Sequence, residues 1–531
     1  MNEKRKLKLK KFYFHPITVF IALTILIIIL SAILSLFQMQ ATYNTVNVNT
    51  NDLKPTLVAV ENMLSFDGIK FLIGNATKNF ISFAPLGTLL ISLIGLIIAE
   101  STGLIETFTK RYLKKIPRST LTFIILFTAT ISSLINEVGY AILIPLAALV
   151  YFIYGRNPIL GVVTAFCGVA FGYGVTLFVG SMEISLIDYT KSAAMLIDSD
   201  IHISLTSNLF FIIAASIISS IVGTIIIEKL IAPKIGKYKK EEDFAKTEQY
   251  RIINLEEEEQ KQIEKDKYER KGLRFALIVS IIVILIFIYM LIPGLPYSGM
   301  LLDMSQKTYV NQLFGETSYF QDGFTFMISL LFVLTGISYG IGAKTIKNDR
   351  DLIEKAGKYF SKTTYLFILI FVVSQFIAIY KKTNIGIIIT AWLANLLSHL
   401  EFSGIPLIVI SLILIAISNL FLTSPSSKWM IFSPVMVPMF MQSNISAQFA
   451  QIVMRIGNSM TNGYTPILAS FVIYIGYLNI YNLNKNKPIS IKKSLKIITP
   501  YFLLISVTWI LLTIGWYIIN LPIGPGVYPT I

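Results

Sequence analysis

Apolar runs of about twenty residues recur along almost the whole chain, and short basic clusters separate them. The first runs from Ile17 to Phe37, and comparable stretches lie at 82–100, 158–181, 207–231, 273–294, 323–342, 363–380, 463–483 and 497–520. About twenty apolar residues are what a helix needs to cross a bilayer. Composition agrees. Of 531 residues 54% are hydrophobic and only 14% charged, against about 25% charge in an average soluble domain. The chain therefore has too little charge to coat a water-soluble surface. A soluble enzyme, a disordered chain and a nucleic-acid binder are excluded. The net charge of +15 is what basic loops on one side of a membrane produce. One cysteine, Cys167, and three scattered histidines argue against a disulfide framework and a metal centre.

The basic clusters set the sides. Lys110, Arg111, Lys114, Lys115 and Arg118, then Lys344, Lys347 and Arg350, then Lys485, Lys487, Lys492, Lys493 and Lys496 are expected in the cytoplasm, as is the basic N-terminus. The first apolar run is too long for a secretory signal and reads as a retained span. The tail after Ile519 carries no charge, which suits the outside and demands an odd number of crossings. The expected organisation is a basic N-terminus and first span (1–38), an extracytoplasmic loop (39–81), a first repeat (82–232), a charged cytoplasmic linker (233–272), connecting spans (273–362), a second repeat (363–520) and an extracytoplasmic tail (521–531).

The repeats are visible in the residues. Ile131-Ser-Ser-Leu with Ala-Ile-Leu-Ile-Pro145 parallels Ile417-Ser-Asn-Leu with Met-Ile-Phe-Ser-Pro434. The offset of 289 residues between the two prolines also carries Gly168 onto Gly457, Tyr140 onto Trp429 and 207–231 onto 496–520. The basic loops place the two copies antiparallel, as an inverted repeat. Each copy opens with two apolar arms around a polar break, Asn136-Glu137-Val-Gly-Tyr140 in the first and Thr423-Ser-Pro-Ser-Ser-Lys-Trp429 in the second. Such a break at membrane depth needs protein or a water cavity around it. The stretches 119–155 and 404–444 are therefore expected to be re-entrant helical hairpins, with 384–400 a connector, which leaves nine spans in an all-α polytopic fold.

Charged residues inside apolar segments are functional candidates. Glu137 and Asn136 occupy the first tip. Ser426, Lys428 and Trp429 occupy the second, where hydroxyls can hold an anion and the indole can meet an aromatic ring. Arg455 lies in Val453-Met-Arg-Ile-Gly-Asn-Ser-Met-Thr-Asn462, and its mate is the glycine-rich run from Cys167 to Gly174. Both stretches are expected to unwind, in the second copy over Gly457 and the polar run Asn458, Ser459, Thr461 and Asn462. Arg455 needs a carboxylate, from a substrate or from a buried acid such as Glu183. No Walker A sequence and no catalytic constellation is present, so a secondary transporter is expected, with no enzymatic activity and no cofactor beyond a coupling ion. A channel or ion exchanger without an organic substrate, and a membrane enzyme or biogenesis factor, are the alternatives from other classes.

At these motifs the chain resembles the AbgT family, the p-aminobenzoyl-glutamate transporters. The matching stretches are Gly139-Tyr-Ala-Ile-Leu-Ile-Pro-Leu-Ala-Ala148, Ser426-Ser-Lys-Trp429 with Ser433-Pro434 and Val437-Pro-Met-Phe440, and Arg455-Ile-Gly457 with Thr461-Asn462. The resemblance implies a homodimer in the bacterial inner membrane and nine spans with two hairpins. It implies uptake of p-aminobenzoyl-glutamate or export of sulfonamides, coupled to protons or sodium. It implies functional roles for Glu183, Ser426, Trp429, Arg455 and Asn458. Two positions depart from the family pattern, with Asn458 and Glu183 each standing where an Asp is usual. Asparagine cannot carry a proton but can offer an amide oxygen to sodium. Tyr140 and Asn462 are expected to join the substrate site. Glu137, Asn136, Glu183, Asn458 and Gly457 are expected to form the ion site, and loss of coupling is the remaining possibility.

Overall fold

A computed structural model of the protein describes residues 14–47, 52–135, 138–238, 255–315, 317–484 and 486–531. Asn136 and Glu137 of the first tip therefore lie outside the described residues, as do the basic N-terminus, part of the charged linker and Lys485.

Helix α1 (Pro16–Leu36) starts with Pro16 at its first position and the His15 ring accepting from the Ile17 amide at 3.3 Å. Strands β1 (Gln40–Val46) and β2 (Leu53–Ala59) then pair antiparallel, Gln40 opposite Ala59. Helices α2 (Phe66–Gly74) and α3 (Ala76–Ile81) lead to α4 (Ala84–Ser101) and α5 (Leu104–Arg111). The described residues of 39–81, expected as a loop, thus form a strand pair and two short helices. They are seated by Glu61 on Lys382 at 2.5 Å and by the Asn384 amide on the Ala59 carbonyl at 3.2 Å.

Both expected hairpins form. The first pairs α6 (Arg118–Ile131) and its 3-10 extension to Ile135 with α7 (Val138–Tyr154). There follow α8 (Pro158–Phe171), a break, α9 (Ser181–Ala194), α10 (Leu209–Ile226) and, after a π-helical turn, α11 (Ala232–Ile235). Half of the charged linker belongs to one continuous helix, α12 (Leu255–Tyr289), which runs on into the next apolar segment. After α13 (Tyr309–Phe314) come α14 (Tyr319–Gly342), α15 (Asp349–Ser361), α16 (Thr364–Lys382) and α17 (Ile385–Ser398). The second hairpin joins α18 (Gly404–Asn419) to α19 (Pro425–Gln442). The chain ends with α20 (Ala447–Thr461), α21 (Ala469–Ile480) and α22 (Ile491–Ile519).

The 289-residue offset reappears in the element boundaries. It carries α8 onto 447–460, where α20 stands, the break after α8 onto the break after α20, and α10 into α22. The copies interlock. The second arm of each hairpin packs on the half-helix beyond the other copy's break, α7 on α21 and α19 on α9.

Nine helices among the described residues are long and apolar enough to cross a membrane. The number matches the expectation, but the membership differs. The first hairpin arm with its extension (Arg118–Ile135) qualifies by length, the broken 158–181 segment does not because α8 ends at Phe171, and the second copy counts as one stretch, Ala447–Ile480, across its own break. Ile21, Ile25, Leu26, Ile29 and Ile33 of α1 are exposed, as are Leu277, Ile278, Ile281, Ile282 and Leu285 of α12. Apolar stripes of that extent are stable against lipid or another apolar protein surface. In contrast, α8 is buried except at Ile159, and α20 is buried throughout. The protein is an all-α multi-pass membrane protein whose unwound helices occupy its centre.

Arg156, at the end of an apolar segment, is half of a clamp. Its guanidinium donates to both carboxylate oxygens of Glu228 at 2.8 and 2.9 Å and to Thr122 Oγ1 at 2.9 Å, and it lies 4.8 Å over the Tyr151 ring. One clamp ties the first hairpin to the end of α10. Arg156→Ala strands Glu228 and should cost about 1–3 kcal/mol. Because the Arg156 side chain is only 9% exposed, thermal melts in detergent should show the same loss at low and high salt.

Candidate functional site

The centre of the molecule is where the two breaks meet. The second copy unwinds only at Asn462, the end of the stretch expected from Gly457 onward, and Gly457 itself serves another purpose. It sits within intact α20 where α18 passes closely, and an added Cβ would meet Ile415 at 2.8 Å. The first break, after Phe171, presents Gly174 to α20. The Gly174 amide donates to Ser459 Oγ at 2.8 Å, and its carbonyl accepts from Arg455 Nε, also at 2.8 Å.

Arg455 is 1% exposed and Glu183 3%. Nη1 of Arg455 donates to Glu183 Oε1, and the other carboxylate oxygen accepts the Gly180 amide at 2.7 Å. The acid thus caps α9 while it pairs with α20. Of the two partners expected for Arg455, the structure supplies the buried acid, Glu183. One guanidinium nitrogen, Nη2, is buried without a hydrogen-bond partner.

Lys428 and Trp429 point away from solvent. Trp429 is fully buried, and its indole N–H donates to Thr190 Oγ1 on α9 at 2.8 Å. The Lys428 ammonium, also fully buried, donates to Asn419 Oδ1 at 2.6 Å and to Asn458 Oδ1. Asn419 in turn donates to the Asn458 carbonyl at 3.0 Å and to Thr461 Oγ1 at 3.2 Å.

A cavity of about 690 Å³ opens beside this cluster, between the two hairpins. Its wall includes Tyr140, Tyr173, Lys381, Ser424, Ser427 and Asn462. The N-terminal end of α19 faces it, with Ser424 capping the Ser427 amide at 3.4 Å. Amides at a helix start favour an anion. The residues singled out from sequence therefore divide. Tyr140 and Asn462 are on the wall, and Ser426 is half-buried between two wall residues. Arg455, Glu183, Lys428, Trp429, Asn458 and Gly457 stand behind the wall. Sequence reading missed Lys381, Tyr173 and Asn419. Lys381 and Lys382 look like snorkelling residues between apolar runs, and Asn419 was legible only as part of the repeat.

A second cavity of about 620 Å³ lies toward the other end of the same helices, with His15, Glu100, Tyr359, Lys362, Tyr365 and Tyr477 in its wall. Helices α4, α7, α16 and α21 line both. Along α21 the walls are only Ser470 to Tyr477 apart, about 10 Å at the helical rise. Between the cavities Ser92 Oγ donates to the Ala141 carbonyl at 3.2 Å, closing α4 onto α7.

A family model described as the AbgT putative transporter family matches residues 10–531. The p-aminobenzoyl-glutamate transport protein of Escherichia coli K12 is 30% identical over 515 residues, 97% of this chain and 94% of that one. The crystal structure of the Alcanivorax borkumensis YdaH transporter, described as having an unusual topology, aligns with 26% identity and a TM-score of 0.47. That alignment covers 96% of this chain and 100% of the other. Neisseria gonorrhoeae MtrF, from a class of antimetabolite efflux pumps, aligns with 29% identity and a TM-score of 0.46, covering 97% and 98%.

Proposed function

The chain belongs to the AbgT putative transporter family, and from that premise we propose that it is an ion-gradient-driven secondary transporter of a small aromatic carboxylate, p-aminobenzoyl-glutamate first among them. The observation that carries the reading is the cavity between the hairpins. Its volume of about 690 Å³ falls within the range of about 300–1,000 Å³ typical of small-molecule sites. Lys381 and the start of α19 offer positive potential to a carboxylate at one side, while Tyr140 and Tyr173 offer faces and hydroxyls to an aryl amide. In this reading Lys381, rather than the ion-paired Arg455, meets the substrate carboxylate. The two cavities are the two vestibules of one path, and the helices that line both carry the partition between them. With the basic loops in the cytoplasm of a bacterium, the hairpin cavity opens outward, the second cavity opens inward, and the protein resides in the inner membrane, as a homodimer.

The test is uptake of labelled p-aminobenzoyl-glutamate into proteoliposomes under a sodium gradient and, separately, a proton gradient. Saturable uptake under either supports the reading, and its absence under both, in both orientations, removes this substrate. Lys381→Glu should raise KM about 10- to 100-fold, which corresponds to a coupling of about 1–3 kcal/mol. The melting temperature and the maximal rate should stay close to wild type, because Lys381 is exposed. An unchanged KM would take Lys381 out of the site.

A further inference from the structure

We propose that the groove between α5, α7, α12 and α14 is a binding site for an anionic phospholipid, with the phosphate head held on an arginine rim and an acyl chain laid along the apolar wall. The inference rests on the membrane-spanning fold alone and is independent of what the protein transports.

The groove is a third cavity, of about 680 Å³. Helix α12 lines it with Arg270, Arg274, Leu277 and Ser280, whose helical spacing puts them on one face. From Arg270 to Ser280 that stripe runs about 15 Å at the helical rise, the depth of one leaflet of a hydrocarbon core about 30 Å thick. Phe108 and Tyr112 of α5 face it, and Leu146 and Val150 of α7 with Phe332 of α14 close the back. The groove opens onto the exposed apolar stripe of α12, because Leu277 belongs to both. Phe108 and Tyr112 are exposed at the same opening.

Charge is gathered at one end. Arg111 of α5 and Arg270 both donate to Asp266, Arg270 at 2.8 Å, and Glu269 lies 3.8 Å from Arg111. Arg274 is exposed and, among the described residues, makes no ion pair and no hydrogen bond. Three guanidinium groups therefore stand against two carboxylates, and the exposed Lys114 and Lys115 follow just beyond α5. The ion pairs hold Arg111 and Arg270 at the rim while each keeps further N–H groups for a phosphate, which a guanidinium grips bidentately. A zwitterionic head would bring its own ammonium against Arg274, so the rim selects a head of net negative charge. Thr109 of α5, 0% exposed, stands in the wall of the groove with its hydroxyl buried and without a hydrogen-bond partner. Its neighbour Thr107, by contrast, is bonded to the Tyr339 hydroxyl at 2.6 Å. A phosphate or ester oxygen of a lipid supplies the acceptor that Thr109 lacks. Basic residues beside an apolar groove between membrane helices are the pattern of anionic-lipid recognition. Apolar contact with a second copy of this chain would cover the wall but supply neither the acceptor nor the negative charge.

The test is read on the full-length protein, purified in detergent and stripped of lipid. Native mass spectrometry and thermal melts are compared with added phosphatidylglycerol, phosphatidylethanolamine of the same acyl chains, or glycerol 3-phosphate. Phosphatidylglycerol should bind saturably, a single lipid per protomer, about tenfold or more tighter than phosphatidylethanolamine, and should raise the melting temperature. Glycerol 3-phosphate, a head without chains, should do neither. Arg274→Glu should weaken phosphatidylglycerol binding about 10- to 30-fold. Thr109→Val, which keeps the shape and removes the hydroxyl, should weaken it about 2- to 10-fold. Lys265→Glu, the same change of charge on the opposite face of α12, should leave it unchanged. Arg274 and Lys265 are both exposed, so both variants should fold. Equal affinity for the two phospholipids, an equal response to glycerol 3-phosphate, or unchanged binding by Arg274→Glu would overturn the proposal. So would a groove covered by a second copy, which would show as Arg274→Glu separating dimers into monomers without loss of phosphatidylglycerol binding.

Discussion

Arg455→Ala and Glu183→Gln should each lower the stability of the detergent-solubilised protein by about 3–5 kcal/mol, the usual penalty for breaking a buried ion pair. The reason is geometric. Glu183 accepts from the Gly180 amide and from Arg455, so without the guanidinium its charge stays buried on one amide alone. Arg455 without the acid keeps only the Gly174 carbonyl. Replacing both partners by apolar residues of similar volume, Arg455→Met with Glu183→Leu, should recover most of the stability, because two desolvated charges disappear together. Transport should not recover with it. Singles that melt like wild type yet fail to bind substrate would restore the role for Arg455 suggested by its isolation in the sequence.

That contrast shows where sequence reading ends. The apolar runs, the polar tips and the 289-residue offset were legible because each depends on local composition, and the breaks after Phe171 and Thr461 follow from the glycines and polar residues there. The interlocking of α7 with α21 and of α19 with α9 is a tertiary arrangement, and it decides which candidates reach the cavity. The offset makes Tyr140 and Trp429 equivalents, yet Tyr140 is on the wall and Trp429 is buried on Thr190. Lys428 next to three serines reads as an anion site, and only the fold reveals that its ammonium turns inward to Asn419 and Asn458. The strand pair at 40–59 was hidden between two long apolar runs, and the Arg156–Glu228 clamp joins residues 72 positions apart.

Gly174→Ala should abolish most transport while leaving a folded protein. A Cβ at this position would lie 2.6 Å from the Arg455 carbonyl oxygen and 2.5 Å from Ser459 Oγ. The first obstacle is backbone in the middle of α20, so no rotamer change relieves it. The break and α20 must therefore move apart. That strains the bonds from Gly174 to Ser459 and from Arg455 to Gly174, the ties that join the broken segment of one repeat to the intact helix of the other. Overpacking of this kind costs about 1–3 kcal/mol, less than breaking the ion pair, and the expressed protein should still melt cooperatively. Its effect on function is larger because the two breaks meet behind the cavity wall, where a shift of a few tenths of an ångström displaces Asn462 and the tip of the second hairpin together. A transport rate at least tenfold below wild type with near-normal yield is the expected result, read in the same proteoliposome assay. Gly515→Ala, on α22 with open space around its added Cβ, is the control that should leave the rate unchanged and the stability unchanged or raised by up to about 1 kcal/mol. Normal transport by Gly174→Ala would mean that the two repeats separate at this contact in the working cycle, and that its close packing belongs to one state alone.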